Sequence, residues 1–260
     1  MRITVLASGS GGNAAVFEGG GTAVLVDAGI PLPVLLKRMR AAGVAPRVDA
    51  VVVTHAHGDH HRFAPEASLH FRAPVWVSES TRPMLPLHGA ASTRVFGARE
   101  PFRVGALLLR PLPLPHDAPQ VSLRVEHGSA AAVLATDLGE VPAAFSQHIR
   151  GAQALLLESN HDPDMLWKGP YSASLKRRIA SARGHLSNVQ AAEVLRRLDP
   201  SFQCVVLMHL SETNNLRKIA LDTAAEALAD HAARLLAATQ ESSISVDVTP
   251  PGQLELFAAL

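Results

Sequence analysis

Thr54-His55-Ala56-His57-Gly58-Asp59-His60-His61 follows directly on the apolar run Ala50-Val51-Val52-Val53. The run reads as a strand, and in extended backbone residues two apart point to the same side, so His55 and His57 can face one cation. Past the small turn residue Gly58, Asp59 and His60 face a second position beside it. A lone His-x-His pair could decorate a surface loop. The longer His-x-His-x-Asp-His pattern, at the end of an apolar strand, reads as a metal-binding loop.

A two-cation site needs more ligands, and these belong at other strand ends, where a rigid scaffold holds them. The chain offers them in order. His116-Asp117 follows the run Leu112-Pro113-Leu114-Pro115, Asp137 follows Ala131-Ala132-Val133-Leu134-Ala135-Thr136, and His209 follows Val205-Val206-Leu207-Met208. A carboxylate has two oxygens, so Asp137 suits a bridging position. Taken singly, a strand-end Asp caps a turn and a single His joins a hydrogen-bond network. Together, at the ends of successive strands, they point to one binuclear centre.

The rest of the chain frames that loop. Further short apolar runs read as strands: Ile3 to Leu6, Ala23 to Val26, Val75 to Val77, Leu107 to Leu109, Val121 to Val125, Ala154 to Leu157 and Ile244 to Val248. Helical periodicity covers Leu32 to Ala42, Leu175 to Ala182, Val189 to Leu198 and Leu216 to Leu236, the third preceded by the capping-box pair Ser187 and Gln190. Strands in two groups with helices through both predict an α/β fold, a four-layer sandwich of two sheets with helices outside. A length of 260 residues fits one domain over residues 1–260.

Lys plus Arg number 24 against 23 for Asp plus Glu, so the net charge of +1 gives no global pull on an anionic partner. Cys204 is the only cysteine, which excludes an internal disulfide framework, and the cytoplasm is the expected location. The opening Met1 to Ala7 is broken by Ser8-Gly9-Ser10-Gly11-Gly12 too early for a signal peptide, and no run suits a membrane span.

The succession Asp27, His55-x-His57-x-Asp59-His60, His116, Thr136-Asp137 and Met208-His209-Leu210-Ser211 resembles the five-motif signature of the metallo-β-lactamase superfamily. The resemblance implies the αβ/βα sandwich, Asp27 as a buried orienting residue, one metal site of His55, His57 and His116, and a second of Asp59, His60 and His209. Asp137 would be shared. It implies two divalent ions, Zn²⁺ or Mn²⁺ with Fe²⁺ also suited; no thiolate biases the choice, because Cys204 reads as a core residue.

Three more segments narrow the branch: Ala7-Ser8-Gly9-Ser10-Gly11-Gly12-Asn13-Ala14, Leu157-Glu158-Ser159-Asn160-His161-Asp162 and Gly184-His185-Leu186-Ser187-Asn188. They are similar to the WalJ (YycJ) group of DNA exonucleases and, more distantly, to RNase Z. That likeness implies a phosphodiesterase acting on DNA with a metal-bound hydroxide, with Asp59 holding the water, His185 protonating the leaving oxygen and Glu158 orienting His185. A carboxyl-ester, thioester or lactone hydrolase of the same fold is the alternative; it has no need of His185. Asn160, His161 and Arg178 are candidate substrate contacts, although Asn160 to Asp162 equally suits a turn before Pro163. The basic runs Lys176-Arg177-Arg178 and Arg217-Lys218 suit either a solvated helix face or a rim for backbone phosphates. The usual glycine after the metal loop is replaced by Arg62-Phe63-Ala64-Pro65, which predicts an altered helix entry.

Overall fold

The computed structural model of the protein describes residues 1–250 and arranges the apolar runs in two sheets. The first is built from β1 (Arg2–Ala7), β2 (Ala14–Gly19), β3 (Thr22–Val26), β4 (Ala50–Val53), β5 (Val75–Ser78) and β6 (Thr93–Phe96). The second holds β7 (Phe102–Val104), β8 (Leu107–Leu114), β9 (Gln120–His127), β10 (Ala130–Ala135), β11 (Ala154–Glu158), β12 (Cys204–Met208) and β13 (Arg234–Ala237). The last described strand, β14 (Ile244–Asp247), returns to the first sheet and pairs antiparallel with β1. In each sheet an antiparallel portion gives way to four parallel strands, β3 to β6 and β10 to β13.

Alternation of side chains accounts for the layers. On β4, Ala50 and Val52 face the second sheet, packing in one core with Val24, Leu109, Leu123 and Leu134. Val51 and Val53 point outward, beneath α1 (Leu32–Ala41) and α3 (Ala64–Phe71). On the other side Leu155, Leu157, Val205 and Leu207 pack under α4 (Phe145–Ile149), α7 (Asn188–Leu195) and α8 (Arg217–Ala227), with α5 (Pro163–Lys168) and α6 (Ala173–Ile179) between α4 and α7 in the chain. Strands buried on both faces are continuous apolar runs, as parallel sheets between helices require. The expected αβ/βα sandwich is present, and no helix among the described residues is long and apolar enough to cross a membrane.

Several elements depart from the sequence reading. The periodic stretch Leu216 to Leu236 is not one helix: α8 ends at Ala227, and Arg234–Ala237 forms β13 beside β12. His231 marks the break, accepting from Ala233 N at 3.0 Å while its Nε2 donates to the Asp199 carbonyl at 2.9 Å. Completing the parallel sheet outweighs the helical propensity of this Ala-rich run. β8 extends through Pro111 and Pro113 because β7 pairs only with its first three residues. Beyond them β8 is an edge strand, where a missing N–H costs no ladder bond. β2, β6 and β7 escaped the sequence reading. The Arg62–Pro65 substitution is accommodated by Pro65 in the first turn of α3, where no N–H is required.

His148 on α4 sets a pH limit on this scaffold. Its Nε2 lies 3.2 Å from Ser122 Oγ. Burial, helped by the Arg124 charge and only partly opposed by Glu126, lowers its pKa to about 4. The fold therefore holds the neutral ring. Its contribution is complete above the unfolded value near 6.5 and is lost as the pH falls toward 4, where only the unfolded chain readily takes up the proton. The wild type should lose on the order of 1–2 kcal/mol more than His148→Gln between those limits. Thermal melts across that range check this, and parallel curves would refute it.

Candidate metal centre

All of the expected ligands sit at strand exits along one rim of the sandwich, and two of them, together with the orienting residue Asp27, occupy a backbone region that L-residues avoid. Asp27 after β3 (φ 60°), Asp137 after β10 (φ 58°) and His209 after β12 (φ 53°) are left-handed. Such conformations persist only where the surroundings fix them, and they cluster at functional sites. The metal loop is likewise not extended throughout. His55 and His57 leave β4 in open backbone, but Gly58–His61 forms a helical turn, α2, which swings Asp59 and His60 toward the second sheet.

The seven side chains assemble in overlapping groups. Possible ligand atoms of His55, His57 and His116 converge, as do those of Asp59, His60 and His209; a third group joins His55 and His60 to Asp137. Asp137 thus lies with one member of each triad. His57 Nδ1 and His116 Nε2 are 3.2 Å apart, and Asp59 Oδ2 lies 3.5 Å from His60 Nε2 and 3.6 Å from His209 Nε2.

Two buried carboxylates aim these ligands, one from each sheet. Asp27 accepts from His60 Nδ1 at 2.7 Å and from Thr54 Oγ1 at 3.0 Å and 3.1 Å. Since the Thr54 hydroxyl proton goes to Asp27, its oxygen accepts from His55 Nδ1 at 3.1 Å. One carboxylate therefore fixes two imidazoles, each presenting Nε2 to the centre. Glu158 does the same opposite: Oε1 accepts from His209 Nδ1 at 2.8 Å and His185 Nδ1 at 2.9 Å. It also accepts backbone N–H groups of Asp137, Leu138 and Leu186. The sequence suggested Glu158 as a partner of His185 alone; its hold on His209 needed the fold to be seen.

The pocket fits divalent cations. Three buried atoms pointing into it, His55 Nε2, Asp137 Oδ2 and His209 Nε2, have no hydrogen-bond partner among the described residues. Asp137 Oδ2 is 3.1 Å from His60 Nε2, yet the pair is not aligned as a hydrogen bond, so proximity there is not satisfaction. Unpaired buried polar atoms cost about 1–3 kcal/mol each, a cost that coordination removes. The charges agree. Burial pushes the His209 imidazole down, but the Asp137 charge, with the neighbouring Asp59 carboxylate and the hydrogen bond to Glu158, outweighs it and raises it to about 10. His60 is likewise raised, its burial overcome by Asp137 and Asp27. A pocket that forces histidines to carry protons is one in which the carboxylates demand positive charge. Mixed imidazole and carboxylate donors suit Zn²⁺, Mn²⁺ or Fe²⁺.

Beside the ligands lies a cleft of about 200 Å³ whose lining includes Ser10, Asp117, Tyr171, Arg178, His185 and Ser211. His185 Nε2 has no protein partner among the described residues. Asp117 was visible beside His116 but drew no role. Its Oδ1 lies 3.1 Å from His57 Nε2 and 3.3 Å from His116 Nε2, while Oδ2 accepts from Arg178 Nε at 2.8 Å. Of the three expected substrate contacts only Arg178 is exposed. Asn160 is 5% accessible and donates its amide to the His209 carbonyl at 2.9 Å, and His161 is 3% accessible and bridges to Ser187. Both brace the rim, and Asn160 also lines the cleft. Ser8 and Asn13 were also passed over as individuals. Ser8 Oγ accepts from His209 N at 2.8 Å, and the Asn13 amide reaches Asp59 and His60. The Gly-rich opening was their signal, because Gly29 and Gly12 let the first loop lie directly on the backbone of the metal loop; a Cβ on Gly29 would overlap the Asp59 carbonyl.

Comparison with known proteins gives the same direction. Residues 22–210 match the family model described as the beta-lactamase superfamily domain. The chain is 31% identical over 239 residues to exodeoxyribonuclease WalJ of Streptococcus pneumoniae, covering 88% of each. Among solved structures, the metallo-beta-lactamase fold protein YhfI from Bacillus subtilis superposes with a TM-score of 0.72 at 17% identity, over 94% of this chain and 99% of that one. The short form of human tRNase Z superposes with a TM-score of 0.64 at 17% identity, over 95% and 100%. At such identities these two likenesses speak for the fold.

Proposed function

The chain belongs to the metallo-β-lactamase superfamily and is a metal-dependent hydrolase; from that footing we propose a binuclear phosphodiesterase that removes nucleotides from DNA ends. The observation that carries the reading is His185, fixed by Glu158 at 2.9 Å and open to the cleft through its other ring nitrogen. A thioester expels a thiolate, a leaving group with less need of a proton donor. An alkoxide leaving a phosphodiester needs one. The likeness to a named exodeoxyribonuclease supports DNA as the substrate.

His55, His57 and His116 would hold one cation, Asp59, His60 and His209 the other, with Asp137 between them. Cations held there would supply Lewis acidity, lowering the pKa of water and offsetting charge on the phosphoryl oxygens. The protein's own groups do the rest. Asp59, the more exposed of the two carboxylates in the ligand set, holds the attacking water and takes its proton. His185 donates from Nε2 to the departing oxygen. Burial disfavours its charged form, but the Glu158 carboxylate outweighs that and raises its pKa, so the ring carries the proton it must give. Arg178, now paired with Asp117, stands where it can meet a backbone phosphate.

His185→Ala should keep its metal and its thermal midpoint while losing about 10²–10⁴-fold in kcat on DNA. It should lose much less on bis-p-nitrophenyl phosphate, whose leaving group needs no proton. Equal losses on both substrates would sink the assignment of His185, and metal-loaded wild type inactive on both would sink the phosphodiesterase reading.

A further inference from the structure

The described chain leaves the sandwich at the pole opposite the metal centre. Beyond β14, Thr249 is held by one side chain: Gln203 Nε2 donates to the Thr249 carbonyl at 2.9 Å, and Thr249 N donates to Gln203 Oε1 at 3.2 Å. Val248 N also donates to the Met1 carbonyl at 2.8 Å. Two strands show how far this lies from the site. β1 pairs Arg2 with Asp247, and only past its other end does Ser8 reach His209. β12 starts one residue after Gln203 and delivers His209 at its far end. Five or six residues of strand, at about 3.3 Å each, put roughly 17–20 Å between the poles.

The sequence continues Pro250-Pro251-Gly252-Gln253-Leu254-Glu255-Leu256-Phe257-Ala258-Ala259-Leu260. The two prolines have no N–H with which to prolong a sheet. Gln253 to Phe257 then combines a carboxamide that donates and accepts, two leucines, a charged residue between them and a phenylalanine. Such a peptide suits a groove with a polar shelf for the glutamine and an apolar pocket for the Leu-Phe pair. Gln-Leu-x-Leu-Phe peptides are the handles by which DNA polymerases and repair enzymes hold the ring-shaped clamp that encircles duplex DNA.

We infer that Gln253–Phe257 is a docking peptide for a DNA sliding clamp, tethering the enzyme from the pole opposite its metal centre. The chain's charge supplies the need. A net +1 gives little general hold on a polyanion, so retention near a DNA end must come from elsewhere. A tethered peptide provides it by raising the local concentration of enzyme, and leaves the cleft beside His185 free. The inference takes DNA as substrate from the proposed function, but its test does not depend on activity.

The full-length, metal-loaded protein is titrated against purified bacterial β sliding clamp by biolayer interferometry. Saturable micromolar binding is expected, weakened at least about tenfold in the double variant Leu256→Ala/Phe257→Ala. Hydrolysis of bis-p-nitrophenyl phosphate should be unchanged in that variant, whereas stimulation by a loaded clamp on primed circular DNA should disappear. Absence of binding overturns the inference, as does a double variant that binds like the wild type. A variant that loses thermal stability while neither protein binds the clamp also overturns it, and assigns the peptide to the chain's own groove beside Phe145, Val194 and Phe202. Clamp binding by an enzyme inactive on DNA keeps this inference and removes the nuclease reading; nuclease activity without clamp binding does the reverse.

Discussion

Asp137→Asn should leave the fold standing and strip the enzyme of metal. Asparagine keeps the shape and tolerates the left-handed backbone at this position, so the change isolates the charge. That charge is the largest of those that raise His60 and His209. Without it the two histidines have less reason to converge, and cations at the two triads would face each other with no anion between them. Metal content by mass spectrometry should fall from about two ions per chain to fewer than one, and turnover by on the order of 10³-fold or more. A variant that keeps both ions would remove Asp137 from the ligand set.

Glu158→Gln should bring the second large loss, by a different route. The carboxylate is fully buried and accepts from two imidazoles and three backbone N–H groups. Burial alone would raise its pKa, but His185 and the hydrogen bonds from His185 and His209 hold it down at about 2. A neutral amide offers one oxygen where two are used and turns an N–H toward groups that already donate. Turnover should drop about 10²–10³-fold, because one metal ligand and the proton donor lose their aim together. The alkaline limb of the rate profile should also move to lower pH, since His185 must be protonated to act and loses the charge that raises it. Glu158→Ala, which leaves a buried charge unpaired, should cost on the order of 3–5 kcal/mol in denaturant unfolding. Normal turnover in the glutamine variant would reduce Glu158 to a packing role.

How much of this was legible beforehand depends on the range of the interactions. His55 to His60 could be read because strand periodicity and ligand spacing are local, and β4 ends where its apolar run ends. Asp137 and His209 could be read as strand-end residues, and Ser187 with Gln190 as a capping box. What stayed hidden depended on which strands become neighbours. That Glu158 would reach His209 follows from β11 lying beside β12. That Asn160 and His161 would be buried follows from the Leu186 and Ser187 backbone running alongside them. The end of α8 at Ala227 was hidden for the same reason, since the vacant side of β12 that draws Arg234–Ala237 into the sheet has no local mark in the sequence.

The Ser8 and His209 contact spans 201 positions, and β14 finds its partner at the other end of the described chain. During synthesis the strand that emerges first therefore waits for the one that emerges almost last. Contacts of such long sequence separation make folding slow, because loop closure must be met before they form. Each triad draws on residues that follow strands of both sheets, so neither can be completed until His209 or His116 has joined the metal loop. A ribosome-bound fragment ending before β12 carries the whole His55–His60 segment and still lacks a finished second site. Loading of the proposed second site would thus belong to the closing moments of folding, and would act as a check that both sheets have come together.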